Sequence, residues 1–199
     1  MSRKKVVILI LLLLVADQAA KFAVKLNMTY DESITVFPNW FFIRFIENPG
    51  AAFGFQLGGD YGKLLLSLFR IAAVILVGWY VGHLVRKKAP AGVVAGFALI
   101  LAGALGNIID SAFYGMIFSQ STYTTVATLF PPGGGYGTFL HGKVVDMLYF
   151  PLFTATWPQW LPWVGGNTFT FFSPVFNLAD SYITVAVVYL LIFKLNYFK

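Results

Sequence analysis

SPVFNLADS, residues 173–181, stands at the head of the last long apolar run of the chain, which continues from Tyr182 to Phe193. A run of that length reads as a membrane span, and Asp180 sits at its front. An ionised carboxylate in a membrane helix is unfavourable by about 2.5–3.5 kcal/mol on insertion scales, so an acid kept there needs a partner and a task. A second acid occurs in a similar phrase, Val144-Val145-Asp146. Asp146 and Asp180 therefore read as a two-carboxylate hydrolytic site at a membrane surface.

The composition agrees with that reading. Of 199 residues, 58% are hydrophobic and only 11% charged, and the mean hydropathy is +0.75, far from the values of a soluble domain. The sequence predicts an all-α integral membrane protein, one bundle over residues 1–199. Its net charge of +6 does not point to nucleic acid, because the basic residues gather at the ends of apolar runs, where orientation signals sit. The chain has no cysteine, which removes disulfides, thiolate nucleophiles and Cys-ligated metals.

Four spans are predicted at about 6–26, 64–85, 92–113 and 174–195. Ser2-Arg3-Lys4-Lys5 followed by Val6 to Ala16 also resembles a secretory leader, but the run resumes after Asp17-Gln18 and reads as a retained span. The polar interval 27–62 carries a β-rich stretch, Ile34 to Ile46, with a turn signal at Pro38-Asn39, so a small sheet or hairpin is expected. It ends in Asn48-Pro-Gly50-Ala-Ala-Phe-Gly54, where another backbone could approach closely. Gly92, Gly96, Gly103 and Gly106 make the third span a close-packing helix, and Asn107 and Asp110 share one of its faces. Residues 114–172 read as a long irregular stretch with a Pro131 to Gly137 loop. Trp157, Trp160 and Trp163 within it suggest an interfacial aromatic layer.

Basic clusters before the first span, between the second and third and after the fourth place both termini in the cytoplasm, with 27–62 and 114–172 outside. Asp17, Asp110, Asp146 and Asp180 then gather towards the outer leaflet boundary. Two close carboxylates that share one proton can activate water and polarise an amide carbonyl, one acting as base and its protonated partner as acid. On these residues alone a structural role stays open, with Asp146 in a turn and Asp180 paired to Lys143. So does a transporter or proton channel, although that use of acids would spread them through the membrane's depth. His141 with Asp146 falls short of the usual three ligands of a metal site.

Five phrases, Asp17-Gln18-Ala19-Ala20-Lys21, Asn48-Pro-Gly50-Ala-Ala-Phe53, Gly103-Ala-Leu-Gly-Asn107-Ile-Ile-Asp110, Val144-Val-Asp146 and Phe176-Asn177-Leu-Ala-Asp180-Ser181, resemble the ordered motifs of bacterial lipoprotein signal peptidase, also called signal peptidase II. The resemblance implies a four-helix aspartyl endopeptidase of the bacterial inner membrane with a small extracytoplasmic β-cradle. It would cleave prolipoproteins before a diacylglyceryl-modified cysteine, as a monomer among membrane lipids, without cofactor, metal or nucleic acid. Asp146 and Asp180 would be catalytic, with Asp17, Lys21, Asn48, Gly50, Asn107, Asp110 and Asn177 supporting the site or contacting substrate.

The chain departs from the family pattern in three places. Ser111 stands where the family often has arginine, so Lys143 or Arg70 is expected to supply the charge near Asp110. Ala20 replaces a common hydroxyl residue, and Asp146 follows Asp110 by 36 positions, far more than the family's usual link. The Ser119 to Leu140 insertion is expected to act as a movable flap, hinged on its glycines, or as a docking surface over the site.

Overall fold

A computed structural model describes residues 1–49 and 59–198, so Gly50 and the rest of its small-residue segment lie outside the described residues. The helices are α1 (Arg3–Lys25), α2 (Gly59–Arg86), α3 (Ala91–Ile109), the short α4 (Gly115–Ile117) and α5 (Leu178–Phe193). A π-helical turn, Asp110–Tyr114, joins α3 to α4. Among the described residues three helical segments are long and apolar enough to cross a membrane: Arg3–Lys25, Ser67–Arg86 and Ala91–Ile117. The apolar α5 has 16 residues, about 24 Å at the helical rise, short of a hydrocarbon core of about 30 Å.

Local chemistry sets the helix boundaries. The Ser2 hydroxyl accepts a hydrogen bond from Lys5 N at the start of α1, and Pro90, whose fixed φ suits a helix start, precedes α3. The fourth predicted span begins four residues late. Val175–Phe176 is a strand, β6, and Asn177 caps α5 in a capping box: its side chain accepts from Asp180 N while the Asp180 carboxylate accepts from Asn177 N. The helix cannot extend back through Pro174 without losing that cap.

The glycines of α3 decide how the bundle closes. A Cβ at Gly103 would collide with the Ala179 carbonyl oxygen, one at Gly106 would reach the Asp17 carboxylate, and one at Gly96 would strike Leu190. Backbone therefore meets backbone between α3 and the start of α5, and Asn107, one turn beyond Gly103, arrives at Asp180. Gly103→Val should separate the two helices and destabilise the protein by about 1–3 kcal/mol. A parental melting temperature in detergent for that variant would show that the close approach is not needed.

One apolar cluster (Val6, Val81, Leu84, Val93, Val94, Ala98 and Leu101) joins α1, α2 and α3 at the basic-turn end. Another (Val24, Met28, Phe45, Tyr114, Phe118, Val145 and Met147) joins α1 to the strands at the opposite end. The outer faces stay apolar and exposed, with Leu11 and Leu12 on α1, Phe69, Ile75 and Leu76 on α2, and Leu191, Ile192 and Phe193 on α5. Surfaces of that kind suit a hydrocarbon solvent.

The expected hairpin forms from β1 (Ser33–Phe37) and β2 (Phe41–Asn48), with Asn39 at a φ of 74° in its turn. It belongs to a four-stranded antiparallel sheet of order β1-β2-β3-β6, in which β3 is Val144–Tyr149. Residues 114–172 are thus not one long loop. They contribute β3 and a separate two-stranded sheet, β4 (Phe153–Thr156) with β5 (Thr168–Phe171). Period-two alternation was present at Phe153 to Trp157, but neighbouring prolines and tryptophans obscured it.

The flap expectation needs correction. Phe118 is fully buried, Ser121 and Ala127 are nearly so, and main-chain bonds run from Tyr30 N to Thr122 O, Gly137 N to Gly115 O and Leu140 N to Ala112 O. The insertion is sewn to α1, α4 and the π turn as a packed layer. Deleting 119–136 should cost about 3 kcal/mol or more of stability, read as thermal unfolding in detergent, rather than retune turnover. A stably folded deletion variant with altered kinetics would restore the flap.

Candidate active site

Two polar layers meet where α1, α3, the sheet and the start of α5 converge. The inner one centres on Lys21, whose ammonium is fully buried. It lies 2.9 Å from Asp17 Oδ2 and 2.8 Å from Asp110 Oδ2 and donates to Asn107 Oδ1 at 3.0 Å. Asp17 and Lys21 are four apart on α1 and so share a face. Asp17 Oδ1 accepts from Ala179 N at 3.0 Å, and Asp110 Oδ2 accepts from Val145 N at 3.3 Å. One buried carboxylate thus fixes the start of α5, and the other fixes β3 one residue before Asp146.

The cation at Asp110 is therefore Lys21. Lys143 instead pairs with Glu47 at 3.2 Å, and Arg70 lies within electrostatic range of Asp180 and Asp146. Neither replaces the family arginine at Asp110. The Ser111 hydroxyl donates to Asn107 O in its own helix at 3.0 Å. The lysine signal was in the sequence, since Asp17 and Lys21 have helical spacing; what hid it was that α1 and α3 are neighbours only after folding.

The second layer is an amide relay. Asn177 Nδ2 donates to Asp146 Oδ1 at 2.8 Å and to Asn107 Oδ1 at 3.1 Å, and Asn107 Nδ2 donates to Asp180 Oδ1 at 2.8 Å. Asn48, at the end of β2, adds a side-chain hydrogen bond to Asp146. Asp146 and Asp180 are thus joined through Asn177 and Asn107, with an amide donor on each. Asp146, on β3 opposite Ile46, is only 4% exposed. Burial, and then the neighbouring Asp180 charge, push its carboxyl up to about 7, against the weaker opposing pull of the Asn177 and Asn48 hydrogen bonds and the Lys21 charge. Asp180 is half-buried in the first turn of α5, where its Oδ2 accepts from Asn177 N.

Eight of the nine expected site residues, Asp17, Lys21, Asn48, Asn107, Asp110, Asp146, Asn177 and Asp180, fall in this one network; the ninth, Gly50, lies outside the described residues. Two features escaped the sequence reading. Gln18 Nε2 donates to Asp110 Oδ1 at 2.9 Å, while its Oε1 accepts from the Tyr114 hydroxyl at 3.0 Å. The other is a buried ion pair between Lys25 and Glu47, with the Ser121 hydroxyl 3.1 Å from Lys25 Nζ. It ties α1 and the 119–140 layer to β2 beside Asn48. Gln18 was legible as a polar residue within an apolar run; Glu47 looked like an ordinary external acid.

Asp146 and Asp180 are each held by an amide donor and backed by a buried lysine that two further carboxylates share. The chain resembles known proteins along nearly its whole length. A relative from Porphyromonas gingivalis, a lipoprotein signal peptidase, is 52% identical over 190 residues, covering 95% of this chain and 82% of that protein. The lipoprotein signal peptidase of Amoebophilus asiaticus is 37% identical over 187 residues, covering 92% and 75%. A solved bacterial membrane enzyme shares the fold with a TM-score of 0.62 at 23% identity, covering 97% of this chain and 94% of that one. The model of the Signal peptidase (SPase) II family matches residues 9–196, and the chain belongs to that family of membrane peptidases.

Proposed function

We propose that Asp146 and Asp180 are the catalytic pair of an aspartic endopeptidase that removes signal peptides from prolipoproteins, cutting before a diacylglyceryl-modified cysteine. The observation that carries the reading is the amide relay, which aims one donor at each carboxylate. Below about pH 7 Asp146 holds the proton, and Asp180 is assigned the role of base. Asp180 takes a proton from a water whose oxygen attacks the scissile carbonyl carbon, while Asp146 polarises the carbonyl oxygen and passes it a proton. The tetrahedral intermediate collapses as its regained proton returns to Asp146. Asp180 gives its proton to the leaving nitrogen, the C–N bond breaks, and the pair is restored.

Supporting roles follow from contacts. Asn177 and Asn107 orient the carboxylates, Asn48 holds Asp146, and Asp17, Lys21 and Asp110 fix α1, α3, β3 and α5 in register. Gly50, as a small residue beside Asn48, is assigned to substrate approach. We place four crossings in one domain over 1–199, with α5 as the fourth, both termini cytoplasmic, and the four-stranded sheet as an external cradle near the outer leaflet. The basic turn Arg86-Lys87-Lys88 at the end of the bundle away from the carboxylates supports that orientation. The enzyme is taken to act as a monomer in contact with lipid. A transporter or proton channel is not favoured, since the acids gather at one end and the relatives are named as peptidases.

The test is cleavage by the purified protein in lipid vesicles of two versions of one prolipoprotein, with and without the diacylglyceryl group. Cutting of the lipidated form alone, before the modified cysteine, is expected. Equal cutting of both forms would remove the lipid from the recognition.

A further inference from the structure

The β4–β5 hairpin has two chemically opposite faces. Its pairs are Phe153 with Phe171, Thr154 with Thr170, Ala155 with Phe169 and Thr156 with Thr168. Side chains alternate along strands, so the apolar residues share one face and the four threonines the other. Thr154 and Thr170 border a cleft of about 450 Å³ whose remaining walls include Arg44, Phe42 and Tyr149 of the larger sheet. Thr154 and Thr170 therefore lie on the side of the larger sheet, while Thr154, Thr156 and Thr168 stay exposed. On the other face Phe153 stacks on Phe171 at 5.0 Å and Trp157 on Phe169 at 4.4 Å. The connecting loop presents Trp160 at 79% and Trp163 at 97% exposure. No Asp, Glu, Lys or Arg occurs between Asp146 and Asp180.

We propose that this hairpin is a lipid-binding element, its aromatic face and tryptophan loop seated in the headgroup–acyl boundary of the leaflet that borders the carboxylate pair. A protein partner's surface is usually rimmed by charge and polar groups, whereas this segment offers no charge and carries its threonine hydroxyls on the face opposite the aromatic one. Tryptophan suits the boundary because its ring is apolar and its N–H is a donor. The depth is bounded as well: a two-stranded sheet leaves unpaired N–H and C=O groups on both edges, which hydrocarbon does not tolerate. The hairpin thus rides at the interface and does not enter the core. It returns through Phe172 to Pro174 into β6, immediately before Asn177 and Asp180, and follows β3 with its Asp146. Seating it in lipid fixes the height of the strand and helix that carry both acids relative to a substrate whose lipid lies in the same leaflet.

Because the chain has no cysteine, one spin label at Trp163→Cys reports this position alone, and a residue so exposed can be replaced without unfolding the protein. The label is examined in vesicles of phosphatidylethanolamine and phosphatidylglycerol, with the exposed Thr124→Cys as the aqueous reference. Collisions with oxygen should dominate at 163 and collisions with a water-soluble nickel chelate at 124. Equal access of the nickel chelate to both positions overturns the proposal. So does exclusion of both reagents from 163 with spin–spin broadening that vanishes on dilution into lipid, which assigns the face to a second copy of the chain. Neither result depends on which residues are catalytic.

Discussion

Asp180→Asn and Asp146→Asn each yield a protein that folds and inserts normally but cleaves prolipoprotein roughly 10⁴-fold more slowly, the upper range for loss of a positioned acid or base. The shapes are nearly identical, so the loss is chemical. An asparagine at 180 still offers an oxygen to Asn107 Nδ2 and to Asn177 N, which keeps the helix cap, but it cannot take a proton from water. An asparagine at 146 still accepts from Asn177 Nδ2, but it has no proton to pass to the carbonyl oxygen. The stability readout separates this from misfolding. Burial and the Asp180 charge raise Asp146 from near 3.8 to about 7, so the folded protein binds that proton more tightly than the unfolded chain. Its contribution to stability is full below about pH 4 and declines as pH rises to about 7. Asp146→Asn removes that decline and should melt no lower than the parent at pH 8. Substantial cleavage by either variant removes that residue from the pair.

Lys21→Met carries the largest cost in stability, about 3–5 kcal/mol. Methionine fills much of the same volume but leaves Asp17 and Asp110, both at most 1% exposed, without the ammonium that touches each of them. The neighbouring donors, Gln18 Nε2, Ala179 N and Val145 N, satisfy oxygens but do not supply a charge. Adding Asp110→Asn to Lys21→Met removes one unpaired carboxylate and should recover part of the loss, a coupling that simple loss of packing does not produce. Melting in detergent measures both. A Lys21→Met variant within about 1 kcal/mol of the parent would mean that the triad is no more than a surface-type pair.

Much of the site was legible because its chemistry is conspicuous against an apolar background. Asp17, Lys21, Asn107, Asp110 and Asp180 stand out in or at the head of apolar runs, and helical spacing puts Asp17 with Lys21 and Asn107 with Asp110. Pairing across helices was not legible. Nothing local to Asp110 shows that its cation comes from α1, because that contact depends on Gly106 letting the Asp17 side chain pass. Strands in 114–172 were lost for a different reason. Val144 to Tyr149 is apolar on both faces around Asp146, since one face packs on Phe45 and Val24 while the other meets the site, so period-two alternation is weak. The 119–140 layer misled because its loop glycines suggest mobility. Gly135 and Gly137 in fact pack against Gly115, and only Gly133 and Gly134 have open space beside them.

The shared proton is tested most directly by the pH dependence of kcat/KM for a diacylglyceryl-modified prolipoprotein between about pH 5 and 9. The proposed mechanism requires the proton on Asp146, whose carboxyl is raised to about 7; cleavage should therefore fall as pH rises through that value, tenfold per unit once the limb is reached. Activity that stays level from pH 6 to 9 would contradict a carboxylate pair that works by holding one proton between Asp146 and Asp180.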